Sequence, residues 1–125
     1  MKIRAASRAD RAAIRALVQM HPKQVMQSHI PETKFFFVAE EGNAIVGCCA
    51  LEVYSKKIAE IRTLSVHKNF HGRGTAKKLV AACVARAKKQ RIHEVLAITS
   101  AVNLFDKFGF KTFNKEKWAL IRLMR

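Results

Sequence analysis

Two prolines and five glycines in 125 residues are too few for a collagen-like chain. Three cysteines, two of them adjacent at Cys48 and Cys49, make no disulfide framework and read as buried reduced thiols. Long apolar runs are missing as well. The longest uncharged stretch around the apolar centre is residues 42–51, far short of the roughly 20 residues a membrane span needs. Met1-Lys2-Ile3-Arg4 opens basic, but no apolar run follows it, so no signal peptide is expected and the default compartment is the cytoplasm. Carboxylates are scarce: nine Asp and Glu stand against 24 Lys and Arg, a formal charge of +15. Such a field attracts anions, whether nucleic acid, an anionic surface, a phosphorylated cofactor or an acidic substrate, without choosing among them. What is abundant is apolar residues, at 50%. That excludes disorder and, at this length, suits one domain over residues 1–125.

Residues 3–6 read as a short strand. Ser7 then suits a helix cap, with Asp10 in the first turn and Ala13, Ile14, Leu17 and Val18 on one helical face. Residues 21–32, with Pro22 and Pro31 near their ends, read as a second short helix or an irregular lid. Two β-rich runs, 35–41 and 44–54, flank Gly42-Asn43 as an antiparallel hairpin, and 58–66 is a further strand. Residues 75–90 carry Leu79, Val80, Cys83, Val84 and Ala87 on one face of an amphipathic helix. A strand at 95–98, a short helix at 101–108 closed by Gly109, and a last hairpin from 110–113 and 118–123 complete the order. A meander feeding a βαβ unit implies a mixed α/β sheet with helices against it.

His71-Gly72-Arg73-Gly74-Thr75-Ala76 lies between a strand and a helix. Glycines there let the backbone approach a ligand, and the free N–H groups of the helix's first turn favour an anion. The same pattern also suits a tight turn that binds nothing. The segment is neither a phosphate-binding Walker loop nor a dinucleotide fingerprint, since neither the Lys of the first nor the third glycine of the second is present. His67 and His71 have no third ligand nearby, so no metal is expected, and no base stands beside Cys48 or Cys49 to make either a nucleophile.

This loop resembles the [QR]-x-x-G-x-[GA] motif of the GNAT superfamily of acyl-CoA-dependent N-acyltransferases, with His71 at the first position. Ile3-Arg4-x-Ala6 with Asp10, Leu64-Ser65-Val66-His67, and Phe105-x-x-x-Gly109-Phe110 resemble that family's opening, fourth-strand and closing elements. Phe37-Val38-Ala39-Glu40-Glu41, Ile45-Val46-Gly47-Cys48 and Ala59-Glu60-Ile61-Arg62 are similar to the acetyltransferase half of N-acetylglutamate synthases. The chain has no room for the amino-acid-kinase domain that many of those enzymes carry. The resemblance implies a six- to seven-stranded, mostly antiparallel sheet with helices on both faces, splayed between its fourth and fifth strands. It implies acetyl-CoA as cosubstrate, held by Leu64, Ser65, Val66, His71, Gly72, Arg73, Gly74, Thr75 and Ala76, and direct acetyl transfer to a small amine such as an amino acid.

The resemblance also places Glu60 where several family members carry a general base, and backbone N–H groups of Leu64, Ser65 and Val66 where the thioester oxygen gains charge. The family's usual tyrosine acid is Phe105 here, which cannot donate a proton. No membrane partner is expected, and a homodimer is left open. Two other readings compete: a basic nucleic-acid- or ribosome-associated module, and a protein N-acetyltransferase. Against the first stands the absence of any nucleic-acid motif or aromatic–basic interleaving.

Overall fold

The computed structural model of the chain describes every residue except 24, 26, 28, 113–119, 121, 123 and 125. Five strands form one sheet in the order β1 (Lys2–Ala5), β2 (Phe36–Glu41), β3 (Ala44–Val53), β4 (Ile58–Val66) and β5 (Glu94–Leu96). The first four are antiparallel neighbours, whereas β5 lies parallel to β4. Helix α1 (Arg11–Gln19) joins β1 to β2, α2 (Thr75–Lys89) makes the β4–β5 crossover, and α3 (Val102–Asp106) follows β5.

Strand alternation distributes the core over two faces. Phe36, Val38, Cys48 and Ala50 pack under Ile14, Leu17 and Val18 of α1. Ala39, Cys49, Leu51, Ala59 and Ile61 meet Leu79, Val80, Cys83 and Ala87 of α2 on the other face. The two apolar helix stripes expected from the sequence are thus the ones that cover the sheet. Gly47 lets α2 lie close: a Cβ there would stand 3.1 Å from the Leu79 side chain and 3.2 Å from that of Thr75.

The sheet departs from expectation in its strand count: five among the described residues, not six to seven. Much of the expected last hairpin, residues 113–119, 121 and 123, lies outside the described residues, and residues 110–112 fall in no strand. Between His21 and Glu32 the described residues follow turns and bends rather than the short second helix, in keeping with prolines that remove backbone donors at positions 22 and 31.

The start of α1 is fixed by Asp10. Its carboxylate accepts hydrogen bonds from Arg4 Nη1 at 2.8 Å, Arg4 Nη2 at 3.0 Å and the Ser7 N–H at 2.7 Å. Chiefly through the Arg4 bonds, opposed by burial, its pKa is held down to about 2. A carboxylate whose folded-state pKa is depressed stabilises the fold above its unfolded value and loses that contribution as pH falls through the folded one. Stability therefore falls as pH drops from about 4 towards 2, and Asp10→Ala, which removes this contribution, narrows that acid dependence. Thermal melts of both proteins across this range check it: equal acid sensitivity would discount the pair.

Candidate functional site

Strand β4 changes direction at Thr63. Cys48 pairs with Ser65 and Ala50 with Arg62, so β4 carries one more residue than β3 between the two pairs. The extra residue is absorbed by Thr63 at φ +59°, a left-handed conformation a β-branched residue rarely adopts. Strain of this kind persists only where surrounding structure enforces it, and it gathers at functional sites.

The bulge lies beside an opening. β5 pairs with β4 only from Ile58 to Glu60, leaving the remainder of β4 without a parallel neighbour among the described residues. His67 N–H donates to the Val46 carbonyl at 2.8 Å, closing the β3 side at that position. In an antiparallel ladder the adjacent residue then turns its backbone groups the other way, so those of Val66 face the opening. Its carbonyl accepts two imidazole donors there, His71 Nε2–H at 2.8 Å and His21 Nε2–H at 3.0 Å. A carbonyl cannot donate, so both rings carry the proton on Nε2. The rings stack with centroids 6.0 Å apart.

After His71 the chain turns through Gly72 and Gly74, at φ +76° and +77°, and Gly74 caps α2. A Cβ at either glycine would meet nothing within 4 Å. The first helical bond runs from Lys78 N–H to the Gly74 carbonyl at 3.1 Å. The N–H groups of Thr75, Ala76 and Lys77 therefore precede any intrahelical acceptor and carry the positive end of the helix dipole. They border a cavity of about 490 Å³ between this turn and the opened end of β4.

Eight of the residues expected to hold a phosphorylated cosubstrate line this cavity: Leu64, Ser65, Val66, His71, Gly72, Gly74, Thr75 and Ala76. Arg73 does not; its guanidinium lies over the Phe70 ring, 4.8 Å from the centroid. Ser65 contributes backbone, because its buried hydroxyl is 3.4 Å from the Leu17 carbonyl. His21, Val25, Phe70, Leu104 and Lys107 line the cavity too. Of these, Phe70 and Leu104 neighbour residues already singled out, while His21 and Val25 arrive from a distant segment. Phe105 is buried against Phe110 instead of lining the cavity.

Glu60 stands apart from the cavity, in a polar cluster at the root of the opening. Its residue pairs with Leu96 on one side and with Glu52 on the other. Two carboxylates directly opposite one another repel, and shared donors offset this. Tyr54 OH donates to Glu60 Oε1 at 2.5 Å and is 3.1 Å from Glu52 Oε1. Arg62 Nη1 lies 3.3 Å from Glu52 Oε1 and 3.6 Å from Glu60 Oε1. His29 Nε2–H donates to Glu52 Oε2 at 3.0 Å. Burial, and next the Glu60 carboxylate, push the Tyr54 phenol up to about 12, so it remains a donor across the ordinary phenol range. A carboxylate held this way is an acceptor for a proton or an ammonium group.

The cysteines are placed for packing. Burial pushes the Cys48 thiol up to about 12, and Cys49 is likewise raised, by its contact with Cys83 and by burial. The thiolate a nucleophile requires is thereby disfavoured in both.

Residues 5–119 match the family description "Acetyltransferase (GNAT) domain". An uncharacterised N-acetyltransferase of Chlorobaculum tepidum is 31% identical over 120 residues, covering 91% of this chain and 77% of that protein. The amino-acid acetyltransferase of Mycobacterium tuberculosis is 28% identical, covering 86% of this chain and 67% of that one. The crystal structure of Rv2747 from M. tuberculosis, solved in complex with CoA, superimposes with a TM-score of 0.80 at 26% identity, over 89% of this chain and 72% of that one.

Proposed function

The chain belongs to the GNAT acetyltransferase family, and on that premise we propose that it transfers acetyl from acetyl-CoA directly to the primary amine of a small molecule, an amino acid such as glutamate foremost. The observation that carries this reading is the pair of left-handed glycines before α2, with open space where each Cβ would be and three free N–H groups behind them, facing the opened end of β4. This is a cradle for a pyrophosphate. The amino-acid acceptor rests on the likeness to the M. tuberculosis amino-acid acetyltransferase.

In this reading Gly72, Gly74, Thr75 and Ala76 hold the diphosphate of acetyl-CoA, with Lys77 at the rim. The backbone of Leu64, Ser65 and Val66 lies along the arm that carries the thioester. Acetyl-CoA supplies an activated acetyl group: a C–N bond forms as the C–S bond breaks, and CoA departs as a thiol. The chain's own work is orientation and proton handling. Val66 N–H, turned into the opening, donates towards the reacting carbonyl. Glu60 takes the proton the amine gives up, directly or through water. Since Phe105 carries no hydroxyl, the thiolate acquires its proton from water or from the Thr99–Ser100 segment. A turnover screen with acetyl-CoA against free amino acids, other amines and peptide N-termini tests this. CoA release with an amino acid supports it, whereas acetylation of peptide N-termini alone would make the protein-acetyltransferase reading the better one.

His71 replaces the family motif's Gln or Arg, and its structural task is to donate to the Val66 carbonyl. A glutamine amide can donate as well, so His71→Gln leaves acetyl-CoA affinity within about threefold. His71→Leu removes one neutral hydrogen bond, about 0.5–1.5 kcal/mol or roughly 2- to 13-fold. His21 still engages that carbonyl and keeps the loss at the lower end. Calorimetric titration of acetyl-CoA into the three proteins decides it; equal weakening by Gln and Leu would show that the ring's packing, not its N–H, matters.

The surplus of 15 positive charges should speed encounter with anionic acetyl-CoA. kcat/KM for acetyl-CoA is therefore expected to fall as salt rises from ~0.01 to ~0.5 M, where the Debye length shrinks several-fold. An unchanged value would leave the charge without a part in substrate capture.

A further inference from the structure

A second cavity, of about 520 Å³, lies between the start of α1 and the segment leading into β2. It shares no lining residue with the cavity at the glycine turn. Arg8, Arg11 and Arg15 form one wall and Lys34 stands in the other. The three arginines succeed one another at intervals of about one helical turn, roughly 5 Å each, so they run as a stripe. Like charges at this spacing repel. Arg4, close by in sequence, is held by Asp10 and Glu40. The side chains of Arg8, Arg11 and Arg15 have no ion pair or hydrogen bond among the described residues. Among the described residues the one carboxylate lining the cavity, Glu32, lies 3.7 Å from Lys34, and both side chains are well exposed. Ile14 and Phe36 close the floor, and both are almost wholly buried.

Three guanidinium groups without a counter-charge among the described residues, gathered on a concave surface of small-molecule size, are a receptor for several negative charges at close spacing. Guanidinium forks match phosphate oxygens two at a time, which a solvated lysine does not. Phosphoryl groups joined in a short chain supply that charge density. We propose that this cavity is a second anion site taking a compact polyphosphate of two or three phosphoryl groups, either free or as the tail of a nucleotide. It is separate from the acetyl-CoA cradle, and the two are occupied together.

The test is calorimetry on the full chain with acetyl-CoA saturating, which blocks the glycine turn, using inorganic tripolyphosphate as the probe. One equivalent is expected to bind, with an affinity that falls steeply with salt. Arg11→Gln/Arg15→Gln should weaken tripolyphosphate at least tenfold while leaving acetyl-CoA affinity within twofold and the melting temperature no lower, since a repulsive pair is removed. Lys88→Gln/Lys89→Gln removes the same charge at the far end of α2 and should leave tripolyphosphate affinity within twofold. A second arm with adenosine triphosphate separates the sources: equal affinity identifies the free polyphosphate as sufficient, tighter binding a nucleotide. Failure to bind with acetyl-CoA in place overturns the proposal, as does equal weakening by the two double variants. So does an RNA oligomer lacking terminal phosphates that binds the same arginines more tightly than tripolyphosphate, since that would make the stripe a nucleic-acid surface.

Discussion

Gly74→Val is expected to abolish measurable acetyl-CoA binding, a loss of about 10²-fold or more, while the protein still folds. Gly74 sits at φ +77° as the cap of α2, and a Cβ there projects into open space bordering the cavity. Two effects must be separated. Forcing an L residue into the left-handed region costs roughly 1–2 kcal/mol, and more for a β-branched one. That lowers the melting temperature by several degrees, since 1 kcal/mol moves a domain of this size by about 2–8 °C. The second effect is local: the isopropyl group occupies space that diphosphate oxygens need, and turns the first N–H groups of α2 away from them. Gly74→Ala carries most of the backbone cost and little of the bulk, so comparing the two isolates the steric part. Calorimetry and melting curves on both variants settle the point. Native acetyl-CoA affinity in a folded Gly74→Val protein would remove the diphosphate from this turn.

That turn was legible in the sequence because its signal is local. Two glycines at one-residue spacing before an amphipathic helix describe a backbone conformation, and Gly72 and Gly74 adopt it. The apolar stripes of α1 and α2 were legible for the same reason, and they land on opposite faces of the sheet. What escaped depends on tertiary approach. His21 and Val25 carry no motif of their own and reach the cavity only because the segment after α1 passes beneath the end of β4. Thr63 was hidden by its own chemistry: a β-branched residue reads as regular strand, yet it holds the bulge at positive φ. For Arg73, expected beside the cosubstrate, sequence gives the place in the loop but not the direction, and its guanidinium lies over the Phe70 ring rather than along the cavity. Tyr54 carries no motif of its own and lies just past the end of β3; the turn into β4 brings its phenol onto Glu60.

That contact shapes the other large effect. Glu60→Gln is expected to lower kcat about 10²-fold, within the range for loss of a positioned base, and to leave acetyl-CoA affinity nearly unchanged. The split follows from geometry. Glu60 does not line the cavity at the glycine turn; its carboxylate lies at the root of the β4–β5 opening, and the proposed mechanism brings the acceptor amine to it there, directly or through water. The amide is nearly the same size and still offers an oxygen to Tyr54, so folding is little affected, but it cannot accept a proton. Tyr54→Phe should cost less, roughly 2- to 13-fold in kcat, the worth of one hydrogen bond, because Arg62 continues to approach Glu60. With the phenol pushed up to about 12, the rate should show no fall as pH passes the ordinary tyrosine range near 10. A fall there that vanishes in Tyr54→Phe would mean the phenol itself gives up its proton during turnover. Steady-state kinetics of the two variants over pH 6–11, alongside acetyl-CoA titrations, separate these outcomes. Full activity in Glu60→Gln would take Glu60 out of the mechanism and leave amine deprotonation to water.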